Sequence, residues 1–450
     1  MSAIGISSRA ALCVLLLATV TSLAPAAIAA PGAPISEHTW QIEIDPRPQD
    51  YFEHISYRMW VPPGLARVRG LLVFEHGCGY GAGISGLRFA DDLQYQALAR
   101  KWNLAIVTAR QYAPGENCWV WMNIEHGSAD AFLGALVQLA KASEHPEVAT
   151  VRWALWGHSG GGAWVTAMTA RYPERVIATH ARSGAFGTDG NVIGPGAMTL
   201  KPSAAMRQVP MLFCYGAKEE YPPSEMADFI AHLREVYQAG QKDQARWAVA
   251  VDPFTGHENG DTRLLAIRFF DTIFAQTSEL GGTESSAAWQ GDPRSLELAA
   301  PGAALKASGD LPLAWLPSRE FALRWQEFGR TGRVRDLTAP PAPTEVTSRT
   351  IADGSVIAWR ATADLESGIQ EFRIYGDGEL LGRRRSYNPE GDEAPFQYWN
   401  YHDQPAYESE QNPMRFAWRG APRRVYTVTS INHFGLESAP SVPATPAASN

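Results

Sequence analysis

The first residues with catalytic potential lie in the run 156–162, Trp-Gly-His-Ser-Gly-Gly-Gly, which contains the pattern Gly-x-Ser-x-Gly. A pattern typical of a buried strand, 153–156, precedes it, and a helical pattern, 163–172, follows it. A sharp turn between strand and helix lifts a serine clear of a sheet, and it needs glycines on both sides. The pattern therefore predicts Ser159 as a nucleophile, with a purely structural glycine turn as the alternative.

This strand–turn–helix resembles the nucleophile elbow of α/β-hydrolases, in which an acid and then a histidine follow the serine along the chain. A serine hydroxyl needs a base to take its proton, and the base needs an acid to orient it. His257 lies just after the last strand candidate, 247–251, and before a helix, where the resemblance places the histidine. We predict His257 as the base, with an unreactive loop histidine as the alternative.

The acid is expected after the strand candidate 211–215, where the chain continues Gly-Ala-Lys-Glu-Glu. This segment resembles the strand-Gly-x-x-Asp segment of the family, with glutamate in the acid position. Glu219 has the matching spacing and is the predicted acid. Glu220 is close enough to compete, so both assignments stay open.

Two backbone N–H groups must face the negative charge that develops during acyl transfer. Gly160, which follows the nucleophile, is expected to supply one. The run 75–79, Glu-His-Gly-Cys-Gly, resembles the His-Gly-Gly-Gly loop of lipases and esterases, with Cys78 in the third position. We therefore predict Cys78 and Gly160 as the oxyanion donors, with a plain glycine loop as the alternative for the first.

A narrower resemblance links His-Gly-Cys at 76–78 with Cys-Trp-Val-Trp at 118–121. Together they are similar to secreted esterases of the polyhydroxybutyrate depolymerase and feruloyl esterase group. The resemblance covers residues 70 to 260 and implies a disulfide between Cys78 and Cys118. The alternative is that these cysteines are small buried apolar side chains.

Trp119, Trp121 and His158 are further candidates, as substrate contacts. The chain also departs from that group: its loop continues Gly-Tyr rather than Thr-Gln, its elbow reads His-Ser-Gly rather than Leu-Ser-Ala, and its acid is glutamate rather than aspartate. Hydrolase chemistry is therefore implied, whereas specificity for polyesters or feruloyl esters is not.

Short apolar runs alternate with helical patterns between residues 38 and 280, which predicts a mostly parallel sheet flanked by helices, the α/β-hydrolase architecture. The catalytic domain is predicted over 30–337. Its extension 281–337 is irregular apart from a helix beginning at Ser318. That helix is expected to pack on the hydrolase body, with a spacer between the two domains as the alternative.

A proline-rich linker, 338–343, opens a region of short alternating strands that predicts a β-sandwich over 338–441. Trp359 and the run 364–369, with the pattern from Tyr426 to Ser438, resemble a fibronectin type III domain. Residues 383–420 depart from that family, and Tyr398, Trp399 and Tyr401 there are candidates for polymer attachment. The sandwich is expected to be dispensable for chemistry, and 442–450 is predicted to be a disordered tail.

The N-terminal residues 1–29 are predicted to be an export signal, with the pattern Ala-Ile-Ala at 27–29 as the cleavage site. The apolar run 10–20 is too short to span a bilayer. A soluble protein that is secreted or periplasmic follows. Removal of the signal leaves three cysteines, Cys78, Cys118 and Cys214, which suggests one disulfide and one protected thiol.

Composition excludes some partners. The net charge of −8 gives no basis for nucleic-acid binding. We expect neither a cofactor nor a metal, because no cysteine or histidine spacing is typical of a zinc site. The leading hypothesis is a serine esterase that hydrolyses carboxylic esters, with esters of polymers and of plant polysaccharides as the candidate substrates. A peptidase or acyltransferase on the same fold and a non-catalytic surface-binding protein are the alternatives, and no oligomeric state is predicted.

Overall fold

The computed structural model describes residues 34–36, 38–188, 198–224, 226–284, 286–386, 395–397 and 414–447. Its centre is a nine-stranded sheet with the order β1-β2-β3-β5-β4-β6-β7-β8-β9. The first three strands are antiparallel to their neighbours, whereas β4 to β9 run parallel to one another. The strands are β1 (Pro34–Ser36), β2 (Thr39–Ile44), β3 (His54–Trp60), β4 (Gly70–Glu75), β5 (Leu104–Tyr112), β6 (Trp153–His158), β7 (Val176–Arg182), β8 (Met211–Gly216) and β9 (Trp247–Asp252).

Helices cover both faces of this sheet. Every residue of β4, β6, β7 and β8 is buried, as expected for parallel strands that are packed on both sides. The helices are α1 (Tyr80–Leu87), α2 (Leu93–Trp102), α3 (Trp119–Met122), α4 (Ser128–Ala142), α5 (Gly160–Arg171), α6 (Ala204–Gln208), α7 (Ala227–Gln241), α8 (Thr262–Ala275) and α9 (Arg319–Thr331). The predicted α/β-hydrolase class is confirmed. Within the described residues, no helix is both long and apolar enough to cross a membrane.

The extension after the main sheet packs on its open edge. It forms a small sheet of β10 (Trp289–Gly291), β11 (Leu298–Ala299) and β12 (Ala314–Leu316) and then α9, whose N-cap Ser318 accepts a hydrogen bond from the N–H of Phe321 at 3.1 Å. Trp325 of α9 donates its indole N–H to the carbonyl of Val249 on the edge strand β9 at 2.8 Å. The extension therefore covers the edge strand, which would otherwise offer unpaired backbone groups.

The C-terminal region is all-β, as predicted. One sheet has the order β17-β14-β13-β19 and the other β16-β15-β18. The strands are β13 (Thr344–Ile351), β14 (Gly354–Arg360), β15 (Glu371–Gly376), β16 (Glu379–Arg385), β17 (Arg415–Arg419), β18 (Tyr426–Ile431) and β19 (Pro446–Ala447). A hairpin turn joins β15 to β16 through Asp377 and Gly378, both with positive φ.

The predicted tail 442–450 is described as far as residue 447, and this part is paired with the sandwich. Ala444 exchanges two backbone hydrogen bonds with Tyr426, at 2.8 and 2.9 Å, and β19 pairs with β13. These contacts are backbone hydrogen bonds, which any residue type can form, so the sequence pattern does not predict them. Residues 448–450, the export signal and the three aromatic candidates Tyr398, Trp399 and Tyr401 lie outside the described residues.

The sandwich shares a core with the hydrolase body. Leu93 and Ala97 of α2 are buried in the same apolar cluster as Ile357 and Trp359 of the sandwich. The N–H of Leu93 donates to the carbonyl of Phe396 at 3.0 Å. The two regions are therefore packed together and not merely tethered by the proline-rich segment.

Candidate active site

The predicted catalytic residues all follow carboxyl ends of parallel strands. Ser159 follows β6, Glu219 follows β8, His257 follows β9, and the loop containing Cys78 follows β4. Carboxyl ends of neighbouring parallel strands meet at one edge of a sheet, where open α/β sheets place their ligand sites. The topology thus places these residues on one edge of the molecule.

Ser159 occupies a strained turn between β6 and α5. Its backbone has φ 55 and ψ −122, a conformation that costs a non-glycine residue energy and recurs at functional sites. The turn is tight: a Cβ on Gly157 would lie 2.1 Å from the carbonyl oxygen of Gly161, and a Cβ on Gly161 would lie 2.2 Å from that of Glu75. The two glycines of the Gly-x-Ser-x-Gly pattern are therefore sterically required.

His257 and Glu219 are in direct contact. The Nδ1 atom of His257 donates to Oε1 of Glu219 at 2.6 Å. The other carboxylate oxygen accepts hydrogen bonds from the hydroxyl of Ser183 at 2.7 Å and from the N–H of Gly216 at 2.8 Å. This contact fixes the imidazole so that its Nε2 is the atom left to act as a base.

Glu219 stays ionised although it is buried. Burial opposes the charge, but the hydrogen bond from His257 and the nearby charge of Arg182 together hold the pKa of Glu219 below its ordinary value. An ionised carboxylate stabilises an imidazolium, which is what a base that accepts a serine proton must become.

Glu220, the competing acid, faces away from the imidazole. Its carboxylate forms ion pairs with Arg234 of α7 at 3.0 Å and with Arg294 of the extension, whose Nη1 lies 3.1 Å from Oε2. The structure thus brings Glu219, and not Glu220, to His257.

The loop that carries Cys78 lies against the serine turn. A Cβ on Gly77 would be 3.2 Å from the Cβ of Ser159, and one on Gly160 would be 2.9 Å from the Sγ of Cys78. The disulfide between Cys78 and Cys118 is present, with a Cα–Cα distance of 5.3 Å, so this pairing is confirmed. Cys214 is a buried free thiol, and burial raises its pKa.

Two of the three suggested substrate contacts are buried. Trp121 is 2% exposed and packs on Gly160, while His158 is 1% exposed and donates from Nε2 to the carbonyl of His257 at 2.9 Å. Both side chains support the catalytic loops from within, and as substrate contacts they stay predictions. Trp119 remains half-buried, with its ring 5.3 Å from that of Phe229, so it stays a candidate substrate contact.

Sequence reasoning missed Arg182 and Ser183, the residues at the end of β7. Arg182 is fully buried and hydrogen-bonds the His257 loop, and Ser183 donates to Glu219. The strand itself was not predicted because threonine, histidine and arginine interrupt its apolar pattern. An arginine at the end of such a run, followed by Ser-Gly, is the signal that was available.

No metal centre is indicated. Among the described residues, no three or more histidine, cysteine, aspartate or glutamate side chains are grouped so that they could hold a metal ion. The described groups at this edge can supply a nucleophile, a base and an acid, the parts that nucleophilic acyl transfer requires.

A family model described as "Esterase PHB depolymerase" matches residues 55–220. The match covers less than half of the chain, and it includes the serine turn, both cysteines of the disulfide and Glu219 but not His257. No curated protein matches the chain. With the sheet topology, the family match supports an esterase-type hydrolase of the α/β-hydrolase superfamily.

Several solved structures are distantly similar. A thermostable esterase is 16% identical with a TM-score of 0.34, and the match covers 48% of this chain and 54% of that one, so the chain spans about half of its length. Poly(aspartic acid) hydrolase-1 from Sphingomonas sp. KT-1 is 15% identical with a TM-score of 0.36, over 55% of this chain and 98% of that one. The siderophore hydrolase EstA from Aspergillus nidulans is 13% identical with a TM-score of 0.34, over 50% and 92%.

Proposed function

We propose that the chain is a serine esterase that hydrolyses carboxylic esters through Ser159, His257 and Glu219. The observation that carries the proposal is the 2.6 Å contact between His257 and Glu219, on the same sheet edge as the strained Ser159 turn. The family match to esterases supports ester hydrolysis over peptide hydrolysis or acyl transfer. The proposed substrates include polymeric esters, because the description of the matching family names a depolymerase.

In the proposed reaction, Oγ of Ser159 attacks the ester carbonyl carbon while Nε2 of His257 takes the hydroxyl proton. The backbone N–H groups of Cys78 and Gly160 stabilise the oxyanion. The tetrahedral intermediate collapses, and His257 returns its proton to the departing alcohol oxygen, which leaves an acyl-serine. Water, deprotonated by the same imidazole, then attacks the acyl-serine. As the second tetrahedral intermediate collapses, His257 returns the proton to Oγ of Ser159, and the carboxylic acid is released.

Export and a fibronectin type III-like sandwich complete the proposal. The disulfide supports an oxidising compartment, because such bonds are rare in a reducing cytosol. The two small sheets, antiparallel except for the pairing of β13 with β19, support a sandwich of that type. Mass determination of the N-terminus of exported protein tests the first point, and cleavage after residue 29 is expected.

Ser159→Ala is the decisive variant. We expect it to lower hydrolysis of a chromogenic short-chain ester by several orders of magnitude without unfolding the protein. An organophosphonate should label the wild type once, and peptide mapping should find the adduct on Ser159. Ser278→Ala, at an exposed serine, is the matched control and should keep full activity. Labelling at another serine, or activity in the Ser159 variant, would refute the mechanism, and peptide and polymer substrates would distinguish the alternative hydrolases.

A further inference from the structure

Arg182 contacts elements that carry all three proposed catalytic residues. It is the last residue of β7, between β6 and β8, and is 0% exposed. Its backbone carbonyl accepts a hydrogen bond from the N–H of Ser159 at 2.8 Å. The main chain of Arg182 therefore supports the strained serine turn directly.

The side chain of Arg182 holds the histidine loop. Its Nη2 atom donates to the carbonyl of Gly256 at 2.9 Å and to that of Glu258 at 2.5 Å. These carbonyls belong to the residues immediately before and after His257. A third contact, to the hydroxyl of Thr255 at 3.2 Å, extends the attachment along the same loop.

The other terminal nitrogen faces the acid. Nη1 of Arg182 lies 3.5 Å from Oε2 of Glu219, an ion-pair contact without hydrogen-bond geometry. Both side chains are almost completely buried, at 0% and 1% exposure, so screening by solvent is weak. The guanidinium thus acts on Glu219 through its charge and on the histidine loop through hydrogen bonds.

A planar guanidinium can do both at once because its donors diverge in a fixed fork, which a lysine ammonium cannot reproduce. The charged or titratable groups around the imidazole are Glu219 at 2.6 Å, His158 with its ring 4.7 Å away, and Glu258 as the next residue. Arg182 is the cation that contacts the Glu219 carboxylate of the His257–Glu219 pair. Its charge opposes formation of the imidazolium, whereas that of Glu219 favours it.

We propose that Arg182 is a positioning residue that fixes the His257 loop against Glu219 and sets the basicity of the imidazole. This inference rests on the proposed function, since it presumes that His257 acts as the base. Loss of the fork frees the loop and misplaces the imidazole. Loss of the positive charge stabilises the imidazolium, so the pH at which the base becomes active moves upward.

The test compares Arg182→Met and Arg182→Lys by ester hydrolysis across pH. We expect Arg182→Met to lower kcat by about 100-fold, the loss that a small misplacement of a catalytic group can cause, with KM little changed. The acid limb of the kcat/KM profile should move to higher pH. Arg182→Lys keeps the charge, so its acid limb should stay in place while kcat recovers only in part.

Arg263→Met is the matched control, because Arg263 is equally buried and pairs with Asp92. It should lower the melting temperature without moving the acid limb. An unmoved acid limb in a folded Arg182→Met variant would overturn the proposal, and so would full wild-type kcat in Arg182→Lys if the methionine variant does not fold. Activity in Ser159→Ala would instead refute the proposed function, so the two failures are distinguishable.

Discussion

Glu220 is held by Arg294, a residue that lies beyond the main sheet in the extension. Both terminal nitrogens of Arg294 contact the carboxylate, and its Nε lies 3.0 Å from Oδ1 of Asp310. Arg234 of α7 joins the same group at 3.0 Å from Glu220. These ion pairs therefore attach the extension to the loop that carries the proposed acid. They also compensate the negative charge of Glu220, whose carboxylate does not contact His257.

The two adjacent glutamates should respond differently to the same substitution. Glu219→Gln is expected to lower kcat by about 10³–10⁴-fold, because a neutral amide does not support the imidazolium or fix its tautomer. Glu220→Gln should keep kcat near the wild-type value and lower the melting temperature, since it leaves Arg234 and Arg294 without their shared anion.

Steady-state kinetics and thermal unfolding of both variants provide the measurement. A Glu220→Gln variant slower than Glu219→Gln would show that the acid is assigned to the wrong carboxylate. Equal and modest losses in both would indicate that neither carboxylate orients the base.

The disulfide should stabilise both the fold and the oxyanion loop. Its cysteines are 40 residues apart, and closing a loop of that length is worth about 4 kcal/mol in the chain-entropy model. The double variant Cys78→Ser with Cys118→Ser should therefore melt at a lower temperature. Because Sγ of Cys78 packs on Gly160, kcat should fall more than KM rises.

Cys214→Ala is the control for this pair, and it should leave kcat unchanged because Cys214 lies in the core on β8. Reduction of the wild type should reproduce the double variant. Free thiols at both positions in exported protein, found by non-reducing peptide mapping, would contradict the predicted bridge.

The serine turn could be predicted because its constraints are local. Glycines at fixed offsets from Ser159 and the change from strand to helix pattern are both visible in the chain. His257 and the Cys78–Cys118 pairing were accessible through resemblance, which carries information about residues that are distant along the chain. Each of these predictions rests on residue types at fixed offsets along the chain, which are visible before the strand order is known.

Contacts made by buried polar groups were not accessible. Arg182 reaches the histidine loop across the neighbouring strand β8, and this requires the strand order, which the sequence pattern does not specify. The burial of the candidate substrate contacts Trp121 and His158 was not accessible either, because it depends on the elements that pack against them in the fold. Both side chains are almost completely buried.

The sandwich should stabilise the protein without taking part in chemistry. A chain ending at residue 337 would expose Leu93 and Ala97, which are buried against the sandwich. It would also lose the contact between Arg268 and Glu366 at 2.6 Å. The apolar loss is about 3 kcal/mol, enough to lower the melting temperature by roughly 5–10 °C.

Activity per folded molecule on a soluble ester should be retained in that truncated chain, because the described sandwich residues contact α2 and α8 rather than the triad. Glu366→Ala in the full chain is the matched control, and it should lose less stability than the truncation. A well-folded truncated protein without activity would show that the sandwich shapes the active site.

The last prediction concerns Glu75, a buried carboxyl at the end of β4. It is 1% exposed, and its carboxyl oxygen Oε1 accepts a hydrogen bond from the side-chain amide of Gln111 at 3.2 Å. Burial raises the pKa of Glu75 from 4.5 to about 8, against the weaker opposite effect of Gln111. The folded protein therefore binds a proton here that the unfolded chain releases above pH 4.5.

The sign of the pH dependence follows from this difference. The contribution of Glu75 to stability is fully present below pH 4.5 and is lost as the pH rises to about 8. Glu75→Gln keeps a neutral side chain of similar shape at every pH. At pH 5 it should unfold at nearly the wild-type temperature, whereas at pH 9 it should be more stable by on the order of 2–4 kcal/mol.

Glu174→Gln, at an exposed site, is the control and should follow the wild type throughout. Thermal unfolding at pH 5, 7 and 9 provides the measurement, and a Glu75→Gln variant that is less stable than the wild type at pH 9 would contradict a raised pKa of Glu75 in the folded state.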